Sequence, residues 1–237
     1  MIGVEFDEEK FILVRIKGKS IVEFAEGEID LLERYRKYKV KAVFRGKKII
    51  GKLYSERAKE KDFMENFGDN FYILKRNFKK DKKIYTFLAG VPLTILSIAE
   101  ALLPKKTVRL DFPPFVLYDI LYHLDLFEKR EELLALHKSG GIIYYLIVNE
   151  GLPVYASSFP VESDPEEQLT EFFKIFFEEG APPIYLTGDF DAPGVALLKD
   201  LAMDGVVETL DLTKVFDVKV PAPQAPQRYS LAIGITL

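Results

Sequence analysis

Two aspartates separated by one residue are the first candidates for chemistry in this sequence. Asp189 and Asp191 lie in a short stretch between Gly188 and Pro193. Carboxylate oxygens are the preferred ligands of Mg²⁺ and Ca²⁺, so the pair could hold a divalent ion. Aspartates in turns bounded by glycine and proline also hydrogen-bond their own backbone. We favour this second role and predict no metal site.

A histidine close to a serine is the second candidate. His137 precedes Ser139 by two residues, but the G-x-S-x-G turn that exposes a nucleophilic serine does not surround it. We therefore interpret His137 as a turn residue. The other histidine, His123, falls on a predicted apolar helix. The sequence has no cysteine, which excludes disulfides, thiolate zinc sites and cysteine nucleophiles. We predict no catalytic residue.

Positive charge is concentrated in one block of an acidic chain. Between Glu33 and Lys83 there are 18 Lys and Arg against 7 Asp and Glu, whereas the 237-residue chain has a formal net charge of -4. Such a block suits a solvated surface, or docking of an acidic peptide or an anionic membrane surface. No nucleic-acid-binding motif accompanies it, so we predict no nucleic-acid partner. Peripheral membrane association stays open.

The predicted elements repeat one theme in the two halves of the chain. Each half opens with a hairpin, formed by residues 11–25 in the first half and 142–158 in the second, and Gly18 of one turn aligns with Gly151 of the other. Strands then alternate with helices, which predicts mixed sheets in two related lobes. We also predict a hairpin over residues 40–54, around Arg45 and Gly46, and a pair of strands at residues 71–78 and 84–89 that flank a polar turn at residues 79–83.

Four short segments carry a resemblance to a known family. They are IGVE at residues 2–5, KSG at residues 138–140, LTGDFDAPGV at residues 186–195 and LAIGITL at residues 231–237. In this order they resemble the first phosphate loop, the second phosphate loop, the adenosine loop and the closing segment of the PilM proteins of type IV pili and of the cytoplasmic domain of GspL in type II secretion. The resemblance implies an α/β fold of the actin-like ATPase (ribonuclease H-like) class.

The departures from the family pattern argue against nucleotide chemistry. The phosphate loops of the family use Asp-x-Gly, because glycine admits phosphate to backbone amides and the carboxylate holds hydrated Mg²⁺. Here Phe6 replaces the glycine, acidic residues follow it, and Lys138 replaces the aspartate of the second loop. The degenerate nucleotide-loop positions are Glu5, Phe6, Asp7, Lys138, Ser139, Gly140, Gly188, Asp189 and Phe190. These departures from the family pattern predict no ATP hydrolysis and no cofactor.

The resemblance also implies a division of the chain. Residues 1–44 and 111–132 would form the first lobe, residues 45–110 a small inserted basic α+β subdomain, and residues 133–237 the second lobe. Family ATPases carry a whole subdomain that closes over the base between the second hairpin and the adenosine loop. Only residues 163–180 stand there in this chain, so we predict a reduced fold that lacks the nucleotide-closing subdomain.

Three functions remain open at this point. The first is a non-catalytic scaffold at the cytoplasmic face of the inner membrane, which docks a PilN-like or GspM-like assembly protein or the secretion ATPase. The second is a nucleotide-binding ATPase of the PilM type, and the third is an unrelated basic adaptor. The predicted partner-binding residues are Lys39, Lys41, Arg45, Lys47, Lys48 and Lys52. The sequence leaves open which machine the protein serves, pilus or secretion. It also leaves open the oligomeric state and whether the chain continues past Leu237 into a membrane span.

Overall fold

Fourteen strands form two mixed sheets in the part of the chain that the structure, a computed structural model, describes: residues 1–55, 57–127, 132–161, 165–177, 180–202 and 205–237. The strands are β1 (Ile2–Phe6), β2 (Lys10–Lys17), β3 (Ser20–Glu28), β4 (Val40–Phe44), β5 (Ile50–Tyr54), β6 (Phe71–Lys80), β7 (Lys83–Pro92), β8 (Thr107–Asp111), β9 (Glu132–Ser139), β10 (Ile142–Asn149), β11 (Leu152–Pro160), β12 (Ile184–Gly188), β13 (Val207–Thr209) and β14 (Asp217–Val218). The helices are α1 (Glu60–Phe67), α2 (Leu93–Leu102), α3 (Pro113–His123), α4 (Pro165–Phe176), α5 (Ala192–Leu201) and α6 (Ser230–Gly234). Short 3₁₀ helices cover Ile29–Tyr35, Leu212–Val215 and Pro226–Tyr229.

The two sheets contain the same five-stranded arrangement. One sheet has the order β14-β3-β2-β1-β4-β8, and the other has the order β13-β12-β9-β10-β11-β5-β7-β6. β1 lies between antiparallel β2 and parallel β4, just as β9 lies between antiparallel β10 and parallel β12. Both hairpins also carry a register shift, at Arg15/Ile16 in β2 and at Ile147/Val148 in β10. This repeat confirms two related lobes with mixed sheets: the first lobe holds β1–β4, β8 and β14, and the second lobe holds β9–β13.

The inserted segment joins its sheet to the second lobe. β5 pairs antiparallel with β11, with Lys52 opposite Tyr155, and β7 and β6 extend the same sheet outward. The chain thus leaves the first lobe after β4, adds three strands to the second lobe and returns. β8 pairs parallel with β4 and belongs to the first lobe, so the insert ends near residue 106 rather than at 110. β14 pairs with β3, so residues 217–218 belong to the first sheet and not, as predicted, to the second lobe over residues 133–237. The three-part division otherwise stays a prediction.

The hairpin predicted over residues 40–54 is wrong. β4 is hydrogen-bonded to β1 and β8, and β5 to β11 and β7, so the two strands lie in different sheets. The Arg45-Gly46 step resembles a local turn, but it carries the chain from one lobe to the other. The hairpin predicted further along is confirmed, because β6 and β7 pair over their whole length, from Phe71 opposite Pro92 to Lys80 opposite Lys83.

The C-terminal segment is part of the core. α6 packs against β1 and α3, and Leu231, Ile233 and Ile235 are fully buried there. β1 approaches this helix so closely that a Cβ on Gly3 would lie 1.8 Å from the Ala232 carbonyl oxygen. The glycine of β1 is therefore required for packing. No helix in the described part of the chain is long and apolar enough to cross a membrane.

Candidate functional site

The two predicted phosphate loops meet at the same end of the two lobes. The β1–β2 loop and the β9–β10 loop follow the central strand of each lobe, and a cavity of about 260 Å³ opens between them. The residues that line it are Asp7, Glu8, Glu9, Phe44, Arg45, Lys47, Ile95, Ser139, Gly140 and Ile142. The structure thus brings together loop residues that the sequence separates by more than a hundred positions.

The Arg45 guanidinium fills the space between the two loops. Its Nη2 pairs with the Asp7 carboxylate at 2.7 Å and donates to the Lys10 carbonyl at 2.9 Å. Its Nη1 donates to the Ser139 hydroxyl at 2.9 Å, and its Nε lies 3.9 Å from Glu5. The side chain is 5% exposed. The prediction that Arg45 belongs to an exposed docking surface is therefore wrong, because the side chain is a buried bridge between the lobes.

The Asp7 carboxylate is engaged by its own loop and by Arg45. Its Oδ1 accepts hydrogen bonds from the backbone N–H groups of Glu9 and Lys10, both at 2.8 Å, and its Oδ2 pairs with Arg45. The Glu8 and Glu9 side chains remain exposed at the cavity rim. A polyphosphate entering here would meet two exposed carboxylates and a cation that is already neutralised.

Phe6 acts in the core rather than in the loop. The side chain is fully buried and packs edge-to-face on Phe44, with ring centroids 5.0 Å apart. It belongs to the apolar cluster that includes Phe44 and Ile142, whose outer members also line the cavity. The position that resembles a phosphate-loop glycine is thus a structural anchor of the strand.

A buried polar chain joins the lobes beneath Arg45. Nε2 of His137 lies 3.1 Å from Oε1 of Glu5, and Nδ1 lies 2.9 Å from the Thr187 hydroxyl. All three side chains are at most 1% exposed. Burial by itself raises the pKa of Glu5, but the adjacent His137 and Arg45 outweigh it and hold the pKa below its ordinary value. Glu5 is therefore an ionised, paired carboxylate at neutral pH.

The interpretation of His137 as a turn residue is wrong. β9 continues to Ser139, so His137 lies within the strand, opposite Tyr144 of β10 and Thr187 of β12. The run of apolar residues before it and the Gly140-Gly141 turn after it could have indicated one longer strand. Its pairing with Glu5 had no signal in the sequence, because the two residues are far apart in the chain.

The loop after β12 is built for packing. Gly188 has a φ of +87°, and a Cβ there would lie 2.1 Å from the Lys138 carbonyl oxygen and 3.0 Å from the His137 ring. The side chain of Lys138 extends over the Phe190 ring, with its Nζ 6.0 Å from the ring centroid. The glycine that resembles the adenosine loop is needed because β12 closes tightly on β9.

The Asp-x-Asp pair serves two separate contacts. Asp191 caps α5 by accepting the Gly194 N–H at 2.9 Å, and Asp189 pairs with Nε of Arg228 at 2.5 Å. The capping role is the local backbone bonding that the sequence favoured. Among the residues that the structure describes, no group of three or more His, Cys, Asp or Glu is arranged to hold a metal ion.

The other predicted docking residues do not form one surface. Lys39 precedes β4, whereas Lys47 and Lys48 follow it, so they lie at opposite ends of the strand. Lys52 is exposed on β5. Lys41 is half-buried and donates to the Thr236 carbonyl at 3.2 Å; burial, together with the adjacent Arg109, lowers its pKa. The docking role of these lysines stays a prediction, now divided between two regions.

Comparisons of the whole chain reveal similarity at the level of structure. No protein-family profile matches the sequence, and no curated protein matches it significantly. The structure is similar to a chain of a PilM–PilN type IV pilus biogenesis complex, with a TM-score of 0.73 and 13% identity over 99% of this chain and 96% of that chain. It is also similar to the cytoplasmic domain of EpsL, an inner membrane component of the type II secretion system of Vibrio cholerae, with a TM-score of 0.53 and 13% identity over 99% and 93% of the two chains.

A third similarity names the fold itself. A Bacteroides thetaiotaomicron protein of unknown function with an actin-like ATPase fold matches with a TM-score of 0.60 and 13% identity, over 90% of this chain and 91% of that chain. At such identities the likeness concerns the fold and not the chemistry. Together with the repeated five-stranded arrangement, these matches show that the chain has the actin-like ATPase fold, which it shares with type IV pilus and type II secretion proteins.

Proposed function

We propose that this chain is a non-catalytic scaffold of type IV pilus or type II secretion assembly, acting at the cytoplasmic face of the inner membrane. It would dock a membrane-anchored partner of the PilN or GspM kind, or the secretion ATPase. Two structural neighbours support this role, since one is part of a PilM–PilN complex and the other is the cytoplasmic domain of an inner membrane component. Both match this chain over more than nine tenths of their own length.

One observation carries the non-catalytic part of the proposal. Arg45 occupies the junction of the two phosphate-loop positions and connects Asp7 of the first loop with Ser139 of the second. In an actin-like ATPase, a nucleotide would sit at this junction and connect the two lobes. Here a side chain of the protein makes that connection.

The energetics oppose replacement of Arg45 by a nucleotide. Moving the guanidinium away would break its ion pair with Asp7 and remove a cation beside buried Glu5, and removal of one partner from a buried ion pair costs about 3–5 kcal/mol. The incoming phosphates would then face these carboxylates together with Glu8 and Glu9. The cavity, at about 260 Å³, is also below the size of most small-molecule sites, which begin at roughly 300 Å³.

Nucleotide binding is tested by calorimetry and by thermal unfolding in the presence of Mg-ATP. We expect no heat of binding and no shift in Tm at millimolar Mg-ATP, whereas a ligand at 100 times its Kd would stabilise the fold by about 2.7 kcal/mol. The Arg45→Ala variant, where it folds, provides the matched control, because it vacates the junction. A low-micromolar Kd in the unaltered chain would favour the PilM-type nucleotide-binding function.

The docking role is tested separately by affinity capture. Proteins encoded next to this chain, above all small membrane-anchored proteins and secretion ATPases, are co-expressed with the tagged chain and purified through the tag. We expect one of them to co-purify stoichiometrically. If the neighbouring genes encode no assembly protein, or none of their products binds, a role in pilus or secretion assembly is rejected.

A further inference from the structure

The free edge of the inserted strands carries a concentration of positive charge that plays no part in the cavity between the two lobes. β6 is the last strand of the eight-stranded sheet, and its only strand partner in the described part of the chain is β7. The β6–β7 hairpin carries six cations and a single acid, Asp81, which lies in its turn. An unpaired strand edge ten residues long offers N–H and C=O groups to another chain.

The side chains on one face of β6 already form ion pairs and aromatic contacts within the protein. Arg76 pairs with Asp119 of α3 at 2.6 Å, and Phe78 packs edge-to-face on Tyr118 with ring centroids 5.0 Å apart. Lys80, on the same face, pairs with the Glu150 carboxylate. These contacts attach the strand to α3 and to the β10–β11 turn, so the edge is held in place.

The opposite face of β6 forms no ion pair with the described residues. Lys75, Asn77 and Lys79 alternate along this face and are exposed; Lys75 donates to the Ala58 carbonyl, and Asn77 accepts a hydrogen bond from the Thr86 hydroxyl. No carboxylate of the described residues forms an ion pair with Lys75 or Lys79, nor with Lys82 or Lys83 at the hairpin tip. A shallow groove runs along this face, lined by Arg57, Lys75, Asn77, Phe78, Lys79 and Ile84.

We propose that the β6 edge binds an extended acidic peptide segment as an additional antiparallel strand. Main-chain hydrogen bonds would supply the affinity, and carboxylates facing Lys75 and Lys79 would supply the specificity. The proposal deepens the proposed function, because it names the chemistry of the partner's docking segment. A peptide is favoured over a membrane surface because the unpaired cations follow one strand in alternation, beside open main-chain groups.

The spacing of the two lysines defines the segment. Lys75 and Lys79 are four residues apart, which is about 13 Å along a strand. Directly opposed side chains in an antiparallel pair have Cβ atoms about 5 Å apart. The partner therefore needs acidic residues four positions apart, with a small polar residue midway, opposite Asn77. The two remaining residues between them would lie opposite Arg76 and Phe78, where apolar β-formers fit.

The test uses a labelled peptide of the sequence SEVTVES and the full chain, with binding measured by fluorescence anisotropy. We expect saturable binding that weakens as salt is raised. The lysine peptide SKVTVKS and a backbone N-methylated SEVTVES should both fail, because the first reverses the charge and the second removes the main-chain donors. Equal binding of the N-methylated peptide would overturn strand addition.

Variants locate the site. Lys75→Glu with Lys79→Glu should weaken SEVTVES binding at least tenfold, because both side chains line the groove. The matched pair Lys17→Glu with Lys105→Glu changes the net charge equally, away from the groove, and should have little effect. Equal losses in both pairs would overturn the proposed location. Binding of the unaltered chain to anionic phosphatidylglycerol vesicles but not to the peptide would overturn it too.

The result is independent of the docking test above. If a membrane-anchored assembly protein co-purifies but SEVTVES does not bind, the β6 inference fails and the scaffold function stands. If the peptide binds but no assembly protein co-purifies, the acidic docking site stands and the assembly role fails.

Discussion

Charged side chains cluster in two places, the cleft between the two lobes around Arg45 and the free edge of β6. They are paired within the protein in the cleft, and on the exposed face of β6 they have no ion-pair partner among the described residues. In the cleft, Arg45, Glu5 and Asp7 contact one another, the backbone at the start of β2 and the Ser139 hydroxyl of the second loop. On the exposed face of β6, Lys75 and Lys79 face solvent without a carboxylate from the described residues. Charges that are paired and buried hold the protein together, while charges left unpaired on an open strand are available to a partner. The cleft is thus a structural joint, and the edge is the better candidate for recognition.

Removal of the Arg45 side chain should have the largest effect. Arg45→Ala breaks the ion pair with Asp7, removes a cation beside buried Glu5 and separates the two loops, so we expect a loss of about 3–5 kcal/mol in the free energy of unfolding. Denaturant unfolding measures the loss. Lys47→Ala provides the control, because Lys47 lines the same cavity but is exposed, and it should change stability by less than about 0.5 kcal/mol. Similar losses in both variants would mean that Arg45 is not a structural joint.

A methyl group on Gly188 should have the next largest effect. The added Cβ would collide with the Lys138 carbonyl and would hold a positive φ, which together cost about 2–3 kcal/mol. Gly18→Ala is the control: its φ is also positive, but its Cβ would meet open space. It should lose only about 1 kcal/mol. A Gly188→Ala variant of unchanged stability would contradict the tight packing of β12 on β9 at this position.

The pH dependence of stability tests whether Glu5 is ionised and paired. Its folded pKa lies below the ordinary value of 4.5, so the carboxylate stabilises the fold above that pH and loses this contribution as the pH falls through the folded pKa. Glu5→Gln should cost about 1–3 kcal/mol at pH 7, because buried partners lose their anion. The variant should also lose less stability than the unaltered chain between pH 5 and pH 3. Parallel curves for the two proteins would contradict the assignment.

Charge reversal in the β6–β7 hairpin should have the smallest effect on stability. Lys79→Glu with Lys83→Glu alters exposed side chains that have no ion-pair partner among the described residues, so the free energy of unfolding should change by no more than about 0.5 kcal/mol. Reversal of Lys80, which pairs with Glu150, should cost up to about 1 kcal/mol. A large loss for the Lys79/Lys83 variant would show that these lysines are structural and would weaken the contrast with the cleft.

Local sequence pattern was sufficient for the architecture of each lobe. Glycine turns at Gly18 and Gly151 and the alternation around them predicted both hairpins, and the β6–β7 hairpin was predicted from its polar turn. These pairings join residues that are close in the chain, so their signals lie within a short window. The same local reasoning failed at residues 40–54, where the turn signal at Arg45-Gly46 was real but the strands on either side belong to different sheets.

By itself, the sequence determined the two related lobes, the inserted basic segment and the departures from the phosphate-loop pattern. Only the tertiary structure decided the partners of the charged side chains. Arg45 meets Ser139 across 94 positions, and Glu5 meets His137 across 132 positions. An isolated cation looks the same in a sequence whether it will be buried or exposed. Its role depends on which distant carboxylate the packing of the two sheets brings within hydrogen-bonding distance, and no local pattern records that.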